Sequence, residues 1–403
     1  MRPFASTIPI EDARALLQAG AHPIARREMV RLDEAAGRVA AADLASTIFV
    51  PPFARSAMDG YAVMAEDTRG ASRERPVHLH IVDKVYTGSV PTKTIARGTC
   101  AQIATGAPLP DGANTVVMVE DTAIVDHDHV AIRAEVAAAH NIGRKGADIT
   151  PGTLVVRRGD LLNPSRLGAV AAIGCSELEV FAKPRVAILS TGNEVITPGT
   201  PLAPGQIFDV NRYTLSAVAT AHGCVVEMHA PARDTLHDLH AALDACASAD
   251  ILIFSGGSSV GDRDLLIDLV AARGGQVIFH GVAIKPGKPT LFALVDGRPF
   301  FGMPGNPTSC LSNAYIMLVP FFRASARLPI YAPRTVSATL GRRIVSQAGR
   351  HQFYTVRLHG EVALPAFKGS GDITSLSQAD GYIEIPSDQH IVEEGATVDV
   401  TLF

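Results

Sequence analysis

Three apolar runs limit what this chain can fold into more than any other feature: RVAILS at 185–190, DILIFSGG at 250–257 and RPFFGMPGNP at 298–307. Each ends in a loop rich in glycine or proline. Runs without polar alternation are strands buried on both faces, as happens when helices cover a parallel sheet on either side. Helical stretches at 213–222 and 235–247 alternate with them, so 183–329 reads as an α/β domain with a parallel-type sheet.

The flanking segments have other periodicities. Helix-like composition at 10–18 and 31–44 stops at Pro51-Pro52, and short β-type runs such as 77–82 and 115–119 then follow at strand-length intervals. A helix opening at Asn163-Pro164 is expected to rejoin the N-terminal segment. After Pro329, VSATL, QFYTVRLHG, GYIEIP and ATVDVTLF alternate at period two, as strands of a β-barrel or sandwich do. The expected layout is a discontinuous helical/β domain over 1–48 and 143–182, a β-rich insertion over 49–142, the α/β domain over 183–329 and a C-terminal β-barrel over 330–403.

Composition removes several function classes. The 36 basic and 40 acidic residues sum to −4, and zero Trp leaves few stacking platforms, so no nucleic-acid partner is expected. Five cysteines without a C-x-x-C pair argue against a disulfide framework or a cysteine zinc site and suit a reducing cytoplasm. The start lacks an apolar signal core, and the uncharged 300–322 stretch is broken by Pro304, Pro307 and Pro320, so no membrane span is expected.

Ligands of open parallel sheets bind beyond the carboxyl ends of the strands. Three loops arrive there: Thr191, Gly192 and Glu194 after the first run; Ser255, Gly256, Gly257, Ser258, Ser259 and Gly261 after the second; Pro304, Gly305, Asn306 and Pro307 after the third. One such turn is an ordinary strand-to-helix connection; three at one edge, with free backbone N–H groups, suit an anionic, phosphorylated ligand. No P-loop or complete dinucleotide fingerprint occurs. Glu194, Asp209, Asp234, Asp262 and Asp264 are hard oxygen donors for Mg²⁺; Asp209 and Asp234 also fit helix caps, while Asp262 and Asp264, directly after the glycine loop, are preferred as metal ligands. Lys285-Pro286-Gly287-Lys288-Pro289 offers two lysines on a proline-stiffened loop to one oxyanion. His127 and His129, around Asp128, read as a solvated hairpin tip rather than a metal site.

An ordered series of motifs resembles the molybdopterin molybdenumtransferases, the MoeA family, related to the E domain of gephyrin: PPFARSAMDGYAV (51–63), TGAPLPDGANTVVMVED (105–121), GADI (146–149), STGNE (190–194), DVN (209–211), SGGSSVGDRD (255–264), IKPGKP (284–289) and PGNPTS (304–309). The resemblance implies a homodimer of four-part subunits that takes adenylylated molybdopterin and molybdate, hydrolyses the adenylate with Mg²⁺, and releases AMP and molybdenum cofactor. By the same resemblance, Lys285, Lys288, Pro289, Ser309, Arg350 and Ser375 hold molybdate, and Asn211 joins the pterin-binding loops. Asp59, Asp148, Glu194, Asp234 and Asp264 are its catalytic acids, with Asp262 and Asp264 on Mg²⁺ and the pyrophosphate, and Asp59 and Asp148 acting across the dimer interface. Transient partners would be the molybdopterin adenylyltransferase and molybdoenzyme maturation factors. Ala54-Arg55 and Gly281 depart from the family, which often has Asp-Asn and sometimes lysine there. Two rivals are adenylylation of molybdopterin from ATP, as in the related adenylyltransferases, and a non-catalytic scaffold, as gephyrin's E domain anchors a receptor.

Overall fold

A computed structural model describes residues 7–257, 264–347 and 349–403 of the chain. The chain forms two compact units, one of Val30–Ala36 with Ala42–Leu178, the other of Met1–Met29, Gly37–Ala41 and Glu179–Phe403.

The first unit is built around a six-stranded sheet in the order Thr115–Met118, Gly60–Val63, Thr99–Ile103, Val77–Val85, His129–Ile132 and Thr122–Ile124. Leu79, Cys100, Val117, Val130 and Ile132 pack one of its cores. Residues 154–156 return to pair with Leu44–Ala45, and Asn163 caps the Pro164–Ala172 helix by accepting from the Arg166 N–H at 2.9 Å. The tip is exposed at 126–128 and half-buried at His129, with His127 bonded to Asp128 and His129 to Asp126 at 2.8 and 2.9 Å.

The second unit holds a six-stranded sheet ordered Val225–Met228, Arg185–Ser190, Ile251–Ser255, Arg298–Met303, Leu291–Val295 and Gln276–His280. Its strands alternate between two cores. Val186, Ile188, Ile253 and Phe301 face one with Leu215 and Phe321; Ala187, Leu189, Phe254 and Phe300 face the other with Leu239 and Leu269. Helices therefore cover both faces, as the apolar runs require.

The first four strands are parallel, whereas Leu291–Val295 and Gln276–His280 are antiparallel to their neighbours, so the sheet is mixed. Asp296 and Gly297, at φ 51° and 74°, form a two-residue turn of the kind whose twist matches a hairpin. The expected helix over 31–44 is corrected by the structure: only the 3-10 turn Leu32–Glu34 forms, followed by irregular, partly extended chain. Val39, Ala40 and Ala41 are buried in succession, which one face of a helix cannot achieve.

Residues 298–325 resolve into strand, loop and helix, and no helix among the described residues is long and apolar enough to cross a membrane. Beyond them, Thr335–Leu340, His351–His359, Val362–Pro365, Gly381–Ile385 and Thr397–Leu402 close into a five-stranded ring, because His351–His359 pairs with both Val362–Pro365 and Gly381–Ile385.

Phe301 stacks on Phe292 at 4.9 Å and meets Phe321 edge-on at 5.0 Å, fully enclosed. Phe301→Ala is expected to cost this unit about 3–5 kcal/mol, read as a lower urea midpoint for its unfolding.

Candidate functional site

Parallel register ends three strands at one level. Ser190 pairs with Ser255 and Ser255 with Met303, so Thr191, Gly256 and Pro304 leave the sheet side by side. The Thr191 N–H donates to Ser255 O at 2.8 Å and the Gly256 N–H to Met303 O at 3.1 Å. The helix following Arg185–Ser190 lies on one face and the helix following Ile251–Ser255 on the other, a topological switch point where a crevice must open.

The cleft measures about 480 Å³ and gathers Thr191, Glu194, Asp209, Asn211, Asp234, Ser255, Gly256, Gly257, Pro289, Pro304, Gly305, Asn306, Pro307 and Ser309. All three expected loops thus meet in one cavity. Gly192 lines the neighbouring groove instead, and Ser258, Ser259, Gly261 and Asp262 lie outside the described residues.

The floor is polar and cross-linked, and it leaves Thr191 Oγ1, Asn211 Oδ1 and Asp234 Oδ1 buried without a hydrogen-bond partner. Asp209, 3% exposed, accepts from Ser190 Oγ at 2.7 Å and from the Arg212 N–H at 3.1 Å, and its other oxygen lies 3.2 Å from Arg212 Nε. Arg212 also donates to His229 O at 2.7 Å and to Thr197 Oγ1 at 3.3 Å. Asn211 donates to Ser255 Oγ at 2.7 Å and Gly305 O at 2.8 Å, bolting all three loop ends together. Behind Ser255, burial pushes the Cys310 thiol up to about 12, so this cysteine is a neutral filler rather than a nucleophile.

The acidic residues divide by role. Asp209 accepts from the Arg212 N–H in the first turn of the helix Asn211–Ala221, whose N-cap residue is Val210, and pairs with the Arg212 side chain, while Thr235, not Asp234, caps Leu236–Ala245. Asp264, which the sequence favoured for metal, caps Leu265–Ala272 through Ile267 N at 3.3 Å and lies 3.0 Å from His280 Nε2. Glu194 and Asp234 line the cleft, and burial followed by the Glu194 charge holds Asp234 above the usual aspartate range. Among the described residues no three potential ligands cluster closely enough for a protein-only metal cage.

Residues 281–290 join two antiparallel strands: His280 pairs with Leu291, and the Gly281 N–H donates to Thr290 O at 2.9 Å. This connection carries Lys285 and Lys288 on either side of Gly287, with Pro289 in the cleft wall. Lys285 is in register with Gln352, two residues after Arg350, because Ile284–Lys285 pairs with His351–His359. Ser309 sits on the helix Pro307–Asn313. Ser375 is buried, its hydroxyl accepting from Lys368 N at 2.9 Å, and its loop is tied to that helix where Thr308 N donates to Ser370 O at 3.1 Å.

Asp59 and Asp148 belong to the other unit. Both are exposed; Asp59 Oδ1 accepts from the Thr105 N–H at 2.7 Å, linking two of the sequence motifs. Residue-level reasoning missed the cleft's apolar lip of Val195, Ile207, Phe208, Val210 and Leu265, and also Arg212. Ile207 and Phe208 are 55% and 39% exposed immediately before the buried Asp209, an exposure the sequence does not record.

The chain matches three family descriptions in order: "MoeA N-terminal region (domain I and II)" over 8–174, "Probable molybdopterin binding domain" over 187–324 and "MoeA C-terminal region (domain IV)" over 337–403. It is 37% identical to "Molybdopterin molybdenumtransferase 2" of Mycobacterium tuberculosis, across 92% of this chain and 94% of that protein. It is 30% identical to a molybdopterin molybdenumtransferase of Staphylococcus aureus, across 98% and 95%. The crystal structure of a molybdopterin biosynthesis MoeA protein from Pyrococcus horikosii shares its fold with a TM-score of 0.84 and 38% identity, covering 98% of this chain and 99% of that one.

The raised Asp234 has a testable sign. A carboxyl group held above its unfolded value contributes stability that is complete below the ordinary aspartate range and lost as pH rises through the folded value. Asp234→Asn should therefore melt at a higher temperature than wild type at pH 7, and the difference should vanish below the ordinary aspartate range; thermal unfolding across pH checks this.

Proposed function

The chain belongs to the MoeA family of molybdopterin molybdenumtransferases, and from that premise we propose that it is a molybdenum insertase that converts adenylylated molybdopterin and molybdate into molybdenum cofactor and AMP in a Mg²⁺-dependent reaction. One observation carries this reading. A single cleft gathers the glycine and proline loops at a sheet switch point, the carboxylates of Glu194, Asp209 and Asp234, and Pro289 and Ser309 beside a two-lysine loop. Each part answers one feature of the substrates: backbone N–H groups for phosphate, an apolar lip for a planar ring, and fixed cations for a tetrahedral dianion.

The substrate-binding set is Thr191, Gly192, Asp209, Asn211, Ser255, Gly256, Gly257, Ser258, Ser259, Gly261, Pro304, Gly305, Asn306 and Pro307. Lys285, Lys288, Pro289, Ser309, Arg350 and Ser375 would hold molybdate. Hydrolysis breaks the phosphoanhydride between the pterin phosphate and AMP, with water supplying the new oxygen. Asp234, raised by burial and by Glu194, is suited to receive the proton of that water.

A protein-only magnesium cage is not expected, because Mg²⁺ keeps several waters and binds through one or two carboxylates together with substrate phosphates. Asp262 and Asp264, in the loop after Gly257, would supply those carboxylates, leaving Glu194 and Asp234 to the reaction. With Asp262 and Asp264 at the adjoining loop, the ion would offset charge developing on the leaving phosphates. Asp59 and Asp148 would complete the site from the second subunit of a homodimer. A cytoplasmic location, with transient transfer from a molybdopterin adenylyltransferase and to maturation factors of molybdoenzymes, agrees with this chemistry.

The test is incubation of the purified protein with adenylylated molybdopterin and Mg²⁺, with and without molybdate, following AMP and reconstitution of a molybdenum-dependent apoenzyme. Molybdate-dependent AMP together with active cofactor supports the insertase reading. Adenylation from ATP and molybdopterin would instead mark an adenylyltransferase, and tight binding without AMP a scaffold. Lys288→Ala should raise the half-saturating molybdate concentration about tenfold or more, the loss of one charge-assisted hydrogen bond. Asp264→Asn keeps the helix cap but removes the charge, and should abolish AMP release while the protein remains folded; wild-type rates would remove Asp264 from the mechanism.

A further inference from the structure

We propose that Asn313 is a positioning residue for the oxyanion loop, setting the affinity for molybdate without touching it. This inference rests on the reading of Lys285 and Lys288 as molybdate ligands. Lys285 is held by the pairing of Ile284–Lys285 with His351–His359, and Lys288 O accepts from the Val282 and Thr290 N–H groups at 3.0 and 2.9 Å, which leaves the glycine turn between the two lysines to be fixed from outside. That support comes from below. Asn313 closes the helix Pro307–Asn313, is fully buried, and donates through Nδ2 to Gly287 O at 2.8 Å and to Thr290 Oγ1 at 2.7 Å. Thr290 Oγ1 donates in turn to Gly287 O at 3.0 Å. The carbonyl between the two lysines therefore accepts two bonds, and both come from the Asn313–Thr290 pair.

The fit is close on the other side as well. Gly287 has φ 97°, and a Cβ there would lie 2.2 Å from Asn313 Nδ2, so the loop rests directly on the amide. Asn313 Oδ1 is buried without a hydrogen-bond partner. A residue needed only for packing would be apolar and would leave no such acceptor. Ser309 lies one turn earlier on the same helix face, since residues four apart are neighbours. One turn of helix thus carries Ser309 in the cleft wall and holds Gly287, and so fixes the lysine loop in relation to that residue.

The test compares Asn313→Ala, Asn313→Asp and Thr290→Val with wild type, measuring half-saturating molybdate, turnover at saturating molybdate, and binding of adenylylated molybdopterin in the absence of molybdate. Both Asn313 variants should raise the molybdate requirement about fivefold to tenfold, as expected for one or two neutral hydrogen bonds. Pterin binding and saturated turnover should stay within about twofold on the same scale. Thr290→Val, which preserves shape, should shift in the same direction by less, and Thr290→Ser should restore the wild-type value. An unchanged molybdate requirement in Asn313→Ala overturns the proposal, as does a parallel loss of pterin affinity, which would mark general damage. Should the Asn313 variants fail to fold, an unchanged requirement in Thr290→Val overturns it. A wild-type protein whose AMP release ignores molybdate would instead overturn the insertase reading, and this inference with it.

Discussion

Backbone hydrogen bonds between parallel strands hold Ser190, Ser255 and Met303 at one level, and the rest of the site depends on that register. A slip of one residue in any of these strands would turn its apolar side chains to the opposite core and withdraw its loop from the cleft. The register is secured because both faces are buried: Val186 and Ile188 belong to one core, Ala187 and Leu189 to the other. Packing that stabilises the sheet therefore also sets the spacing of the loops.

Directly under that edge the chain buries a charge pair, Asp209 with Arg212, at 3% and 6% exposure. Such a pair stabilises little in comparison with apolar packing, and its removal one side at a time is costly. Its structural effect is to tie together segments that are far apart in sequence: the Ser190 hydroxyl, the start of the Asn211–Ala221 helix, the His229 carbonyl and Thr197 all bond to it. The cleft floor is thereby pre-formed, so that ligand binding need not order it.

Much of this was legible in the sequence, because burial writes itself into apolar runs and loop ends into glycine and proline. RVAILS, DILIFS and RPFFGM are strands, the three loops converge, and the period-two segments after Pro329 close a barrel. The failures have equally particular causes. Asp296-Gly297 between two apolar runs is a strong hairpin signal, and it adds two antiparallel strands to the four parallel ones that the apolar runs and helices imply. At 31–44 the composition suited a helix while the order of buried residues did not. Asp264 rather than Asp234 caps a helix, because capping depends on which residue immediately precedes the helical turn, a matter of one position that spacing alone does not resolve. Phe208 escaped notice because an exposed aromatic has meaning only when its neighbours in space are known.

The hairpin that makes the sheet mixed also decides where the lysine loop emerges. Two reversals of direction bring Gln276–His280 parallel to Arg298–Met303 again, so residues 281–290 span the same sheet edge as the cleft, with both ends locked by His280↔Leu291 and the Gly281–Thr290 bond. In evolutionary terms the segment is a cassette. Its interior residues can be exchanged while the strands on either side keep their pairing, so a lineage can vary this wall of the cleft without rebuilding the fold.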